Sequence, residues 1–214
     1  MSRKLRVFLV DDHAVLRSGM KRLIEMEKDF EVCGEASDAV EAARLLPPAK
    51  PDIALIDLGL KGTSGLDLIK QLKQRLPKLP ILVMSMFEES LYAERVLRAG
   101  ARGYIMKQES GDQVIIALRR VAGGKTYLSG PMAERMLDKL STPETALSPT
   151  DVLSDRELEV FQLLGKGLKP AAVAHELNLS VKTIETYREQ IKAKLKLESA
   201  AELVQYAISW ARDK

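Results

Sequence analysis

Residues 7–13 read VFLVDDH. Four apolar residues run straight into two adjacent aspartates. A short, uniformly apolar run reads as a strand covered on both faces. Two like charges side by side raise each other's cost of ionisation, so their position at its end asks for a reason. A strand that simply reaches the surface would supply one, since charged residues commonly close buried runs. The rest of the chain decides between that reading and a working site.

Working outward, short apolar runs alternate with helix-like stretches up to about residue 123. The runs are 5–10 (LRVFLV), 30–36 (FEVCGEA), 53–56 (IALI), 81–84 (ILVM) and 102–106 (RGYIM). Between them, 14–28, 38–46, 65–76, 88–99 and 111–122 carry apolar residues at helical spacing. Pro47-Pro48 and Gly100 read as helix stops. Five such β/α pairs predict an α/β fold with a doubly wound, five-stranded parallel sheet.

From 124 to 150 that grammar fails. GGKTYLSGP and STPETALSPTD are rich in Gly, Pro, Ser and Thr, and GPMAERMLDKL between them suits a short helix. The segment reads as a linker, flexible at least over 141–150. Residues 151–214 carry no strand signal and suit a small all-α domain of four helices. Ser154 and Glu157 form a capping box before the first, and Gly165 and Gly167 close it. Pro170 opens a second that ends near Leu177. Ser180 caps a third over 181–196. Ser199 and Glu202 open a fourth over 200–211. The pair 170–177 and 181–196, joined by NLS, fits a helix-turn-helix.

The bulk composition agrees with a folded chain. Of 214 residues, 46% are apolar and 29% charged, which excludes a disordered polymer. One cysteine, Cys33, excludes an internal disulfide framework and fits a reducing compartment; its apolar setting favours inert packing. The start, MSRKLRVFLVDD, lacks the apolar segment of a signal peptide, and no run approaches a membrane span. A cytoplasmic location without membrane partners is therefore expected. The net charge of +3 is too small to name a partner.

In a doubly wound sheet, ligands bind beyond the carboxyl ends of the strands, where the strand order reverses. Asp11 and Asp12 end the first strand, Asp57 the third, Ser85 the fourth and Lys107 the fifth. Three acids, a hydroxyl and an amine on one edge are poorly explained as solvated strand ends. Three carboxylates suit a hard divalent cation such as Mg²⁺. Asp57, alone on the central strand, is the best nucleophile toward phosphorus. Lys107 supplies a cation for the phosphoryl oxygens, Ser85 a hydrogen bond, and the Gly59 carbonyl can complete the metal shell. His13 reads as a surface residue at a helix start, and Phe87 as a shield for the site or a packing residue.

These residues carry a resemblance. The paired acids, the acid in DLGLKGTSG, the hydroxyl in MSM and the lysine in GARGYIMK resemble the receiver domain of two-component response regulators, with its flavodoxin-like fold, over about 1–122. The resemblance implies that Asp57 accepts phosphate from a histidine kinase. It implies that Asp11 and Asp12 hold Mg²⁺, with Asp12 the direct ligand, and that Ser85 and Tyr104 form a switch pair. Lys61 stands where that family usually has proline, which is expected to tune metal affinity or phosphate lifetime.

In the third helix of the second domain, Ile184, Ile191 and Leu195 fall on a core-facing side; Lys182, Glu185, Thr186 and Glu189 fall opposite. Residues 151–214 hold ten basic and ten acidic residues, so charge alone leaves DNA binding and protein docking equally open. LSDRELEVFQLLGKG and AHELNLSVKTIETYREQIKAKLKL resemble the LuxR-type DNA-binding domain over about 150–212. A receiver, 1–123, followed by a linker, 124–150, and this domain, 151–214, resembles the NarL/FixJ class of response regulators. The resemblance implies a phosphorylation-controlled transcription factor and not an enzyme. Lys182, Thr183, Arg188 and Lys192 are candidates for DNA phosphates. Glu185 and Glu189, with Thr186 on the same face, are candidates for base choice, since a carboxylate can accept from cytosine N4. It further implies a homodimer on DNA through the stripe Leu203, Val204, Ala207, Ile208 and Ala211. Two other readings compete. One is a docking module without DNA binding. The other is an aspartate-nucleophile phosphatase, disfavoured because Gly59 stands where such enzymes place a second acid.

Overall fold

The computed structural model describes residues 3–60, 62–141 and 152–212. The chain divides into two compact units, residues 1–143 and 144–214. In the first, β1 (Leu5–Val10), β2 (Phe30–Ala36), β3 (Ile53–Ile56), β4 (Ile81–Ser85) and β5 (Gly103–Met106) form one parallel sheet in the order β2-β1-β3-β4-β5. They alternate with α1 (Ala14–Glu25), α2 (Ala39–Ala49), α3 (Gly65–Arg75), α4 (Glu89–Arg98) and α5 (Gly111–Ala122). The order reverses between β1 and β3, whose carboxyl ends therefore flank the crevice of a doubly wound sheet.

The expected strands form because their residues are apolar on both sides. Val7, Leu9, Ile53, Leu55, Leu82, Met84 and Ile105 are buried on one face, beneath Val114, Leu118 and Val121 of α5. Phe8, Val10, Ala54, Ile56 and Val83, which alternate with them, are buried too. Ser64 and Ser110 cap α3 and α5 by accepting hydrogen bonds from Leu66 N and Gln113 N.

Two expectations are corrected. Pro47-Pro48 does not stop α2, which continues to Ala49 and ends at Lys50 with φ +46°. Proline removes an N–H from the helical ladder. Here the carbonyl stripped by Pro47, that of Ala43, accepts instead from Arg75 Nη1 of α3 at 3.3 Å. The segment after residue 123 is also not all linker. Tyr127 accepts from Tyr104 N and donates to the Arg102 carbonyl, both at 3.0 Å, alongside β5. It leads into α6 (Gly130–Ser141), the helix expected over GPMAERMLDKL. There Ser129 N donates to Glu89 at 2.9 Å and Lys139 pairs with Glu94 at 3.2 Å, which anchors α6 on α4. Residues 142–150 of the expected linker lie outside the described residues.

The second unit contains α7 (Asp155–Gly165), α8 (Pro170–Glu176), α9 (Val181–Leu195) and α10 (Ala200–Arg212). The capping box forms: Glu157 N donates to Ser154 Oγ, and Ser154 N donates to Glu157 at 2.6 Å. The α8–α9 turn passes through Asn178 at φ +52°, a left-handed conformation that asparagine tolerates. Leu158, Phe161, Ile184, Ile191, Leu203 and Ala207 are all fully buried. Lys194 ties α9 to α7 through Glu157 at 2.6 Å. Among the described residues no helix is long and apolar enough to cross a membrane.

Candidate functional site

The strand ends converge. Lys107, one residue past β5, sets its ammonium 2.7 Å from Asp57 Oδ2 and 2.8 Å from Asp11 Oδ2. All three side chains are almost wholly buried, at 5% exposure or less. Each position follows from its strand: Asp57 N donates to the Val10 carbonyl at 2.9 Å and Lys107 N to the Ser85 carbonyl at 2.8 Å. The sheet register therefore fixes the spacing of the carboxylates and the amine. Gly59 N donates to Asp57 Oδ1 at 3.1 Å, which brings the Gly59 backbone to the acid.

Asp12 joins the cluster. Asp11, Asp12, His13 and Asp57 each offer one ligand-type atom, and these atoms lie within 4.8 Å of one another. Asp12 Oδ1 is buried, and three carboxylates held this close together are donors of the kind a hard cation takes. Three carboxylates around one ammonium leave an excess of negative charge. Burial raises the Asp57 carboxyl above the ordinary carboxylate range; Lys107 opposes this and Asp11 adds to it. For Lys107 burial works against the ammonium, but Asp57 and Asp11 outweigh it and hold its pKa above the ordinary lysine value. The set thus fits a divalent cation in charge and donor type.

Ser85 and Tyr104 meet through Phe87. Phe87 N donates to Ser85 Oγ at 3.2 Å, and the Tyr104 hydroxyl donates to the Phe87 carbonyl at 2.6 Å. Tyr104 is fully buried, and burial pushes its phenol far above its ordinary value. The Phe87 ring stacks on Tyr92, centroids 5.1 Å apart. Lys61 lies outside the described residues.

His13, which the sequence reading placed on the surface, and Arg17, which it did not single out, belong to this neighbourhood. His13 is exposed, yet its Nδ1 stands 2.7 Å from Asp12 Oδ1 and 3.4 Å from Asp11 Oδ1, and its N–H donates to Asp11. Arg17, one turn into α1, donates to the Asp11 carbonyl and reaches Glu35 of β2 at 3.5 Å.

On α9, Lys182, Glu185, Thr186 and Glu189 are exposed, while Thr183, Arg188 and Lys192 are half-buried. The hydroxyls are used locally. Thr183 shares a 2.7 Å hydrogen bond with Ser180, and Thr186 Oγ1 donates to the Lys182 carbonyl at 3.0 Å. Each acid holds a base one turn on: Glu185 pairs with Arg188 at 2.7 Å and Glu189 with Lys192 at 2.9 Å. The proposed dimer stripe needs correction. Leu203 and Ala207 are fully buried, and the Ala207 carbonyl would lie only 2.6 Å from a Cβ at Gly165 of α7. These two residues build the unit's own core. Val204 and Ile208 are half-buried, and Ala211 is exposed.

Comparison with known proteins agrees with both halves. Residues 7–119 match the response regulator receiver domain, and residues 151–207 match the bacterial regulatory proteins of the luxR family. The oxygen regulatory protein NreC of Staphylococcus epidermidis is 36% identical over 211 residues, covering 95% of this chain and 97% of that protein. The RcsB response regulator of Salmonella typhimurium superposes with a TM-score of 0.66 at 27% identity, over 97% of this chain and 98% of that one. RcsB from Salmonella enterica serovar Typhimurium, bound to the promoter rprA with a phosphomimetic, gives a TM-score of 0.62 at 26% identity. That match covers 96% of this chain and 98% of the other.

Proposed function

Because the chain belongs to the DNA-binding response regulators that join a receiver domain to a LuxR-type domain, we propose that Asp57 is its phosphoacceptor and α9 its DNA-reading helix. The protein is a phosphorylation-controlled transcriptional regulator. The observation that carries the Asp57 assignment is the pairing of Asp57 and Asp11 with the buried ammonium of Lys107.

The donor is a phosphohistidine of a partner kinase. A carboxylate oxygen of Asp57 attacks phosphorus; the new O–P bond forms as the N–P bond breaks, and the electron pair passes to the imidazole nitrogen. The Lys107 ammonium neutralises a phosphoryl oxygen as negative charge spreads over the group. Asp11, Asp12, Asp57 and the Gly59 carbonyl would hold Mg²⁺, which supplies further neutralisation of the phosphoryl oxygens when bound. Ser85 donates its hydroxyl to the phosphoryl group, and its hydrogen bond from Phe87 links that change to Tyr104. A phosphoryl group shifts the receiver only through such differential contacts.

On DNA, Lys182, Thr183, Arg188 and Lys192 contact phosphates, whereas Glu185, Thr186 and Glu189 face base edges. With Leu203 and Ala207 inside the core, pairing of two copies through α10 falls to Val204, Ile208 and Ala211. The protein acts in the cytoplasm, where kinase and DNA are both reached. Incubation with acetyl phosphate and Mg²⁺ should add one phosphoryl mass that Asp57→Asn and EDTA each abolish. Label retained on the Asn variant would end the assignment.

A further inference from the structure

We propose that Arg17 is a positioning residue for the acidic cluster: it holds the main chain of Asp11 and so sets how tightly the site takes its divalent cation. This rests on the reading that Asp11, Asp12 and Asp57 hold Mg²⁺. β1 ends at Val10, whose carbonyl accepts from Asp57 N at 2.9 Å. One residue on, Asp11 N still donates to the Ala36 carbonyl of β2 at 3.2 Å, but the Asp11 carbonyl is met by a side chain, through Nη1 of Arg17.

α1 aims that side chain and β2 holds it. Arg17 and Lys21 stand one turn apart on one face of α1, and both reach Glu35, at 3.5 and 2.7 Å. Glu35 lies beside Leu9 in the sheet, two residues before Asp11. Lys21 already gives Glu35 a close counter-ion. A second cation on a partly exposed acid adds little as an ion pair. The planar fork of Arg17 does something Lys21 does not: it holds Glu35 through Nε and the Asp11 carbonyl through Nη1 together.

What Arg17 holds is what the chemistry uses. Asp11 Oδ1 accepts from His13 N at 2.7 Å, and Oδ2 pairs at 2.8 Å with Lys107, which also pairs with Asp57. Released from Arg17, the peptide between Asp11 and Asp12 is free to turn, and the two carboxylates lose their fixed spacing. An incoming cation must then order its own ligands, which weakens its binding. Once the cation is bound the ligands are gathered again, so the reaction at saturating metal is little changed.

The probe is Mg²⁺ with the full-length protein. Titration followed at the Gly59 amide by NMR gives the affinity with no phosphodonor present. The rate of phosphorylation by acetyl phosphate, measured against Mg²⁺, separates the half-saturating concentration from the maximal rate. Arg17→Met keeps an unbranched, apolar stem and loses the donors. It should bind Mg²⁺ roughly 10-fold more weakly, the scale on which groups behind metal ligands act. The half-saturating Mg²⁺ should rise alike, with a maximal rate close to wild type. The Asp11 carbonyl carbon resonance should move upfield as its hydrogen bond is lost. Lys21→Met cuts the other tie between α1 and β2 and should leave these readings near wild type. Mg²⁺ affinity unchanged in Arg17→Met, or lowered equally in Lys21→Met, makes Arg17 a link between helix and sheet and overturns the proposal. If circular dichroism shows that Arg17→Met does not fold, Glu35→Gln carries the test. It should weaken Mg²⁺ in the same direction, and wild-type affinity there overturns the proposal too. Wild-type protein that is phosphorylated equally well without Mg²⁺ overturns the acidic site itself.

Discussion

Gly65 sits directly against the backbone of Asp57: a Cβ at Gly65 would lie 2.2 Å from the Asp57 carbonyl oxygen and 2.6 Å from Leu58 Cα. Gly65 N also donates to the Leu58 carbonyl at 3.0 Å. The first residue of α3 thereby pins the end of β3, and with it the carboxylate. Gly65→Ala is expected to cost about 1–3 kcal/mol, as overpacking does, and to slow phosphorylation by acetyl phosphate. Thermal unfolding and phosphoryl mass against time test both. An unchanged rate with lowered stability would confine Gly65 to packing.

Lys107 balances two buried carboxylates, so its removal leaves them uncompensated. Breaking a buried pair from one side costs about 3–5 kcal/mol. Lys107→Met should therefore be strongly destabilised without divalent metal, and Mg²⁺ should restore more stability to it than to wild type. Urea unfolding with and without Mg²⁺ makes the comparison. Equal gains in the two proteins would mean that the metal does not share the charge that Lys107 holds.

Glu157 serves both the α7 cap and Lys194. Burial alone would raise its carboxyl, but Lys194 and Ser154 outweigh that and hold it below its ordinary value of 4.5. A depressed carboxylate contributes stability that is present above its unfolded pKa and lost as pH falls through the folded one. Glu157→Gln should thus destabilise the second unit at neutral pH. The difference from wild type should shrink as pH is lowered below 4.5. A difference that stays constant from neutrality into acid would show that the charge on Glu157 is not what stabilises.

The ion pairs on α9 set opposite expectations for neighbouring residues. Lys192→Ala should weaken binding to all DNA sequences alike and reduce the salt slope by about 0.9, the value for one phosphate contact. Glu189→Gln releases Lys192 and should strengthen binding to random DNA. Glu185→Gln should change base preference as well as affinity. Titrations at several salt concentrations on specific and random duplexes distinguish these outcomes, and identical behaviour of all three variants would argue against α9 as the reading helix.

What the sequence reveals is what local pattern encodes. Ile53–Ile56 is apolar on both sides, so its burial and the position of Asp57 at its end follow from four letters. The Ser154–Glu157 box is equally local. The donor that meets the carbonyl stripped by Pro47 is Arg75, 28 residues later, and no window around the prolines contains it. Glu157 and Lys194 are 37 residues apart and meet only once α9 lies on α7. The α10 stripe has helical spacing throughout. Periodicity shows a shared face but not which members, here Leu203 and Ala207, are consumed by the domain itself. His13 was hidden for a different reason: its place at a helix start argued for a bland surface role, and only coordinates show how near its nitrogen lies to Asp12.

The pairing of Tyr127 with β5 has a consequence for how copies of this protein can meet. An open sheet margin is a template on which a foreign strand can continue the ladder. Here the Tyr104 N–H and the Arg102 carbonyl are already occupied by the chain's own backbone. At that stretch of the margin a second molecule finds no free main-chain groups to zip onto. Association at those two groups would therefore have to run through side chains, which evolution can edit one residue at a time.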